Sequence, residues 1–209
     1  ANVLMLEKAS EQLAGGNTKY TAGAMRFPDE NTEELLPLLS NPDDERISRT
    51  DFGTYTKENF SNDLLDFNEG RPLSSEHTYL VSESYDAVKW LAGHGVTYEP
   101  IYSRQSFEKD NKIIFWGGLA LAARDEGVGL YNMEAKTFKN LGGSIRFNAG
   151  VTELLTSDQN VSGVIVGGEK YKADAVILAC GGFEANNKLR EEEFGLDWNK
   201  AKVRGTPHN

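Results

Sequence analysis

The chain opens on an apolar run, Asn2-Val3-Leu4-Met5-Leu6-Glu7, that ends in an acid; this pattern predicts a buried parallel strand. Small residues follow in Gly15-Gly16-Asn17-Thr18 and in Ala22-Gly23-Ala24-Met25, where backbone can approach a neighbour closely. Residues 29–70 are acidic and helix-rich. Asn31-Thr32-Glu33-Glu34 has the form of a capping box ahead of Leu35, Leu36, Leu38 and Leu39, and Pro37 shortens the helix it starts. Further helices are predicted over Thr56 to Phe67 and over Ser75 to Gly93, where Leu80, Val81, Tyr85, Val88 and Leu91 recur at helical spacing. Another is predicted over Val128 to Leu141, stopped by Gly142-Gly143. Residues 96–116 read as short strands and loops. From residue 144 the period becomes that of strands: Ser144 to Leu155, Val161 to Val166 and Tyr171 to Ala179, with turns at Ser157-Asp158-Gln159-Asn160 and Gly167-Gly168. The stretch Ala175-Val176-Ile177-Leu178-Ala179 is apolar on both faces and predicts a central parallel strand leading into Cys180-Gly181-Gly182. A short helix is predicted over Asn186 to Phe194.

An opening inside a central strand, and an ending at Val203-Arg204-Gly205-Thr206-Pro207-His208-Asn209 with no stop signal, make the chain read as cut at both ends. Strands alternating with helices place it in the α/β class. Its 22 basic and 32 acidic residues give a formal net charge of −10, which weighs against a nucleic-acid backbone and an anionic membrane surface as partners. No stretch approaches the roughly 20 apolar residues of a membrane span. One cysteine, Cys180, excludes an internal disulfide and a multi-cysteine metal or iron–sulfur site. The expected setting is cytoplasmic. His77, His94 and His208 show no ligand spacing, so no metal site is expected.

The candidate chemistry is sparse when taken residue by residue. A carboxylate at the carboxyl end of a strand, as at Glu7, can accept hydrogen bonds from the ribose of a dinucleotide; a plain surface acid has the same pattern. The pairs Gly15-Gly16 and Gly181-Gly182 are either turns or places where a backbone N–H approaches a pyrophosphate or a ring system. Cys180 reads as a small buried packing residue, since nothing near it would stabilise a thiolate. His94 suits the end of a helix, and His208 is either a loop residue or a substrate or cofactor contact. The Phe115-Trp116 pair reads as core. Arg26, Arg104, Arg124 and Arg204 can each hold a carboxylate bidentately or pair with a neighbour. No nucleophile triad, P-loop, zinc signature or G-x-G-x-x-G fingerprint is present.

The order of these pieces carries more. Val3-Leu4-Met5-Leu6-Glu7-Lys8, Gly15-Gly16-Asn17-Thr18-Lys19 and Ala22-Gly23-Ala24-Met25, with Gly163-Val164 and the run from Ala173 to Phe183, resemble the flavoprotein subunits of fumarate reductases and succinate dehydrogenases. Within that superfamily, four segments are similar to the FAD-dependent tricarballylate dehydrogenases: Thr50 to Thr56, Pro100-Ile101-Tyr102-Ser103-Arg104-Gln105, Phe115-Trp116-Gly117-Gly118, and Ala201-Lys202-Val203-Arg204-Gly205-Thr206. The resemblance covers essentially the whole chain. It implies a Rossmann-like FAD-binding domain with a β-meander and a helical insertion, truncated at both ends. Residues 1–28 and 125–209 would form the nucleotide-binding sheet and meander, residues 29–124 a mostly helical insertion, and the capping domain would be absent.

The resemblance implies FAD as cofactor. Glu7 would bind the adenosine ribose, with Lys8 also among the cofactor-binding residues. Gly16, Asn17 and Thr18 would meet the pyrophosphate or flavin side. Ala22, Gly23 and Ala24 would lie against the isoalloxazine ring, Val151 would pair with adenine through its backbone, and Gly181 and Gly182 would sit near the phosphates. Gly117-Gly118 and Gly127-Val128-Gly129 would border the substrate side. No catalytic residue is implied within the chain, because the family's proton-moving groups and most of its carboxylate clamps lie in parts of the pattern this sequence lacks. Ala122-Ala123-Arg124-Asp125-Glu126 also departs from relatives, which are richer in glycine there. The implied activity is hydride transfer between flavin N5 and a carbon next to a carboxylate. Tricarballylate would be the substrate, an electron-transfer partner would be involved, and this stretch would be inactive alone. Fumarate or urocanate reductases, ketosteroid dehydrogenases and a non-catalytic nucleotide-binding module are the alternatives.

Overall fold

Local capping signals set where the helices begin. In the structure, a computed structural model that describes residues 1–157 and 160–208, the Asn31 side chain accepts from Glu34 N at 3.2 Å. Thr56 and Asn59 exchange reciprocal bonds, Asn59 N to Thr56 Oγ1 at 3.1 Å and Thr56 N to Asn59 Oδ1 at 3.0 Å. Ser74 and His77 do the same one helix later, and the Asn186 side chain accepts from Leu189 N at 3.1 Å.

The elements, in chain order, are β1 (Leu4–Leu6), β2 (Ala24–Met25), α1 (Thr32–Leu35), β3 (Thr50–Asp51), α2 (Lys57–Phe67), α3 (Ser75–Gly93), β4 (Tyr98–Pro100), α4 (Tyr102–Gln105), β5 (Ser106–Lys109), β6 (Lys112–Phe115), β7 (Leu121–Ala123), α5 (Glu126–Asn140), β8 (Ser144–Arg146), β9 (Val151–Ser157), β10 (Asn160–Val166), β11 (Glu169–Lys172) and α6 (Asn187–Phe194). Pro37 converts the end of α1 into a 3-10 turn, Leu36–Leu38. The chain divides into two compact units, Ala1–Tyr20 with Ala135–Asn209, and Thr21–Glu134.

The unit Thr21–Glu134 holds the larger core. Its β2-β7-β4 sheet is antiparallel; in its second sheet β3 runs parallel and β5 antiparallel to the central β6. Inward positions alternate on β7, where Leu121 and Ala123 are buried. Leu35, Tyr98 and Leu121 are wholly buried, and the Phe52 and Phe115 rings meet at 5.0 Å between centroids. A satellite cluster of Tyr55, Phe60 and Val81 lies between α2 and α3. Among the described residues no helix is long and apolar enough to cross a membrane.

The other unit has two sheets. β1 pairs in parallel with β8, matching Leu4 to Ser144 and Leu6 to Arg146. β9, β10 and β11 form an antiparallel meander whose buried face is Val164 and Val166, packed with Ala149, Leu6, Tyr171 and Val176.

Several expectations change. The stretch 175–179 is irregular, not a central strand, and leaves Ile177 89% and Leu178 68% exposed. An apolar run becomes a strand only when a neighbour completes its ladder. Among the described residues β1 pairs only with β8, and no strand pairs with 175–179. For the same reason β1 is exposed rather than buried, and so is Cys180. Asn148, at φ 53°, breaks the expected strand 144–155 into β8 and β9. Phe115 is buried, but Trp116 is exposed and lies against Phe107. The expected turn at Ser157-Asp158-Gln159-Asn160 has its centre outside the described residues.

One buried carboxyl is thermodynamically awkward. Asp29 exchanges backbone hydrogen bonds with Tyr55, each 2.9 Å, in a buried position. Burial, reinforced by Glu34 and Glu30, pushes its carboxyl up from 3.8 to about 7. The folded chain therefore binds this proton more tightly than the unfolded chain, and stability falls as pH rises from about 4 to about 7. Asp29→Asn is expected to raise the melting temperature more at pH 8 than at pH 5. An equal shift at both pH values would contradict this burial cost.

Candidate functional site

The end of β1 is tied down by backbone. Glu7 N donates to Arg146 O at 2.9 Å, Ala149 N to Glu7 O at 2.8 Å, and Asn148 N to Ala9 O at 2.9 Å. The Glu7 carboxylate turns back and accepts from Ala9 N at 2.7 Å. Glu7 is thereby held beside the start of β9, where Val151 is half exposed and pairs with Val166. Lys8 follows, its stem against Gly150, and its Nζ donates to His208 O at 2.8 Å.

Gly16, Asn17 and Thr18 begin a 3-10 turn, Gly16–Tyr20, entered from the wholly buried Ala14. The Asn17 carbonyl oxygen accepts from Thr206 N at 3.0 Å. Thr206 is 5% exposed, and its hydroxyl accepts from His208 N at 3.3 Å. Of the residues singled out in sequence, Lys8 and Asn17 thus meet segment 205–208, and Glu7, Gly16 and Val151 lie in the same unit. Gly181 and Gly182 are exposed in the irregular stretch that follows β11, and Gly182 faces the Glu184 side chain. The positioning roles of Gly205 and Thr206 escape sequence reading, because the bond that reveals them spans 189 residues.

In the other unit, Ala22, Gly23 and Ala24 lead into β2. Ala123 N donates to Gly23 O at 2.8 Å and Gly127 N to Thr21 O at 3.1 Å, which brings the start of α5 against this segment. Gly23 has φ 66°, and a Cβ there would stand 2.8 Å from the backbone carbon of Glu126. Only glycine satisfies both demands.

The arginines are already engaged. Arg26 Nη1 donates to the Tyr55 hydroxyl at 2.9 Å and to Asp63 Oδ2 at 3.1 Å, while the Tyr55 hydroxyl donates to Asp63 at 2.6 Å. Burial, and the bond to Asp63, raise the Tyr55 pKa. Arg104 pairs with Glu126, and Arg124 lies 3.9 Å from both Glu99 and Asp125. These exposed pairs contribute about 0–1 kcal/mol each to stability. They leave three of the four expected carboxylate holders with carboxylates of the chain itself. Among the described residues no group of three or more metal-ligating side chains converges. A shallow groove on the outer face of α3, lined by Glu76, Tyr79, Leu80 and Glu83, contains none of the candidate cofactor-binding residues.

Comparison with known proteins gives these clusters a context. Residues 12–205 match the family of flavin containing amine oxidoreductases. The chain is 27% identical over 194 residues to "Fumarate reductase (cytochrome)" of Shewanella frigidimarina, covering 90% of this chain and 30% of that protein. A counterpart from strain NCIMB 400 gives the same identity over 29% of its length. The chain therefore spans about 30% of the length of these curated relatives. Among solved structures, the 3-ketosteroid-delta4-(5alpha)-dehydrogenase of Rhodococcus jostii RHA1, in complex with 4-androstene-3,17-dione, is similar at a TM-score of 0.61 and 20% identity, over 91% of this chain and 43% of that one. The open conformation of a flavocytochrome c3 fumarate reductase gives 0.56 and 19%, over 91% and 35%. These likenesses establish a mixed α/β fold of the flavoenzyme kind.

Gly23→Ala is expected to destabilise the protein by about 2 kcal/mol or more, through its left-handed backbone and a backbone clash. Gly16→Ala, left-handed but in open space, is expected to cost about 1 kcal/mol. Urea unfolding of the two variants measures the difference; equal costs would show that the approach of Glu126 does not constrain Gly23.

Proposed function

The chain belongs to the flavin containing amine oxidoreductases, and from that premise we propose that it is the nucleotide-binding part of an FAD-dependent dehydrogenase or reductase of small carboxylic acids, with tricarballylate as the substrate. The observation that carries the reading is that Lys8, next to Glu7 at the end of β1, and Asn17 both bond segment 205–208.

The residues present suit the cofactor. A carboxylate at the carboxyl end of a parallel strand matches ribose hydroxyls. A lysine and a glycine-rich backbone match a diphosphate. His208 Nε2 is buried with no hydrogen-bond partner among the described residues, a polar atom that a bound group would satisfy. On this reading Glu7 and Lys8 hold the adenosine side, Gly16 and Thr18 border the pyrophosphate, and the backbone at Val151 meets the adenine. Gly181 and Gly182 are assigned to the phosphate end, and in the other unit the small residues Ala22, Gly23 and Ala24 are ones a flat ring could approach. A Rossmann-like arrangement around β1 and a cytoplasmic setting are part of the same proposal; the single cysteine accords with the latter.

When bound, the flavin supplies the redox chemistry, and the chain's own residues bind and orient it. Arg26, Arg104 and Arg124 each face a carboxylate of this chain, so none of these three is assigned to a substrate clamp, and no turnover is expected from this stretch alone. In the whole protein, electrons would pass to or from a separate electron-transfer partner.

Titration of the chain with FAD, followed by flavin fluorescence, tests the reading. Saturable binding is expected, and Glu7→Ala should weaken it about tenfold or more, the worth of charge-assisted hydrogen bonds. Absence of saturable binding by the folded chain would reject the flavin site, and an unchanged Kd for Glu7→Ala would remove Glu7 from it.

A further inference from the structure

We propose that Asn17 is a positioning residue: its side-chain carbonyl clasps segment 205–208 against the Gly16–Tyr20 turn, and so presents the His208 imidazole to the dinucleotide. This rests on the flavin reading of the site.

The geometry separates this role from direct contact with a ligand. The Thr206 backbone N–H is a donor only, so the Asn17 atom 3.0 Å away is the amide oxygen. Gly205 lies against that same oxygen, and a Cβ at Gly205 would collide with it. The segment has little freedom left. The Thr206 N–H is taken by Asn17 and the His208 N–H by the Thr206 hydroxyl. Pro207 has no N–H and a fixed φ. A second fastener, Lys8 Nζ to His208 O at 2.8 Å, holds the far end. Two bonds from residues only nine positions apart therefore fix both ends of a four-residue segment roughly 190 to 200 residues away. What this rigid segment carries is the His208 Nε2, buried and without a hydrogen-bond partner among the described residues. A buried, unsatisfied polar atom is costly, and it accords with a site whose remaining partner is a ligand.

The roles of the two ends of the Asn17 amide are told apart by substitution. Asn17→Asp keeps the acceptor oxygen and loses the NH2 donor; Asn17→Ala loses both. In the flavin-free chain, Asn17→Ala should speed hydrogen exchange of the Thr206 amide about fivefold, the worth of one neutral hydrogen bond, and Asn17→Asp should leave it near the wild-type rate. FAD affinity should fall about tenfold in Asn17→Ala; Asn17→Asp adds a charge beside a diphosphate and is read by exchange alone. Gly205→Ala, which drives a methyl group into the clasp from the other side, should reproduce Asn17→Ala in both readouts. Unchanged Thr206 exchange in Asn17→Ala would overturn the clasp. Gly205→Ala losing Thr206 protection while keeping wild-type FAD affinity would overturn the positioning role in favour of direct donation by the Asn17 NH2 group. Failure of the wild-type chain to bind FAD would instead overturn the flavin reading, and it is seen in a different measurement from the exchange data.

Discussion

Everything in the candidate site hangs from the backbone ladder at the end of β1. The bonds of Glu7 and Ala9 to residues 146, 148 and 149 fix the direction in which the chain leaves the strand. That direction decides where the Glu7 carboxylate and the Lys8 ammonium are found. It also carries the chain toward the buried Ala14 and the turn that bears Asn17. A side chain can be exchanged at modest cost, but a lost backbone partner leaves a polar group that water or protein must satisfy. The same rule acts in the opposite sense at residues 175–179, where a strongly apolar run lies exposed because no neighbouring strand completes it among the described residues.

This rule also explains what was legible in the sequence. The capping residues Asn31, Thr56, Ser74 and Asn186 stand where their side chains announce helix starts, since a cap is decided within three or four residues. The limits of α3 follow from its apolar spacing for the same reason. Burial of Leu4, Met5, Ile177 and Leu178 is different. It depends on which strands lie alongside, and an apolar pattern states a requirement without supplying the partner. The commitments of Arg26 to Asp63 and of Arg104 to Glu126 join residues 37 and 22 positions apart, and nothing in local sequence selects those partners.

The site was legible in a similarly uneven way. Motif order brought attention to Glu7, Asn17 and Gly23, and each occupies a constrained position in the structure. The reason for the constraint differs from residue to residue. Gly23 answers to the close approach of Glu126, whereas Asn17 answers to a backbone amide near the far end of the chain. Family membership implies a flavin, a cofactor that brings its own reactivity and asks of the protein geometry and electrostatics.

The long-range clasp has a consequence for how the molecule assembles. The core built from Phe27 to Leu130 lies within one continuous stretch, Thr21–Glu134, and needs no residue beyond it. The other unit joins residues 1–20 to residues from 135 onward, so its loops close only after Thr21–Glu134 has been made. Loop closure over such separations is entropically expensive and slow. During synthesis, which proceeds from the N-terminus, the internal unit can form first while β1 waits for β8. Residues 205–208 follow β8 in the chain, so the ties to Lys8 and Asn17 can be made only after the partner of β1 has emerged.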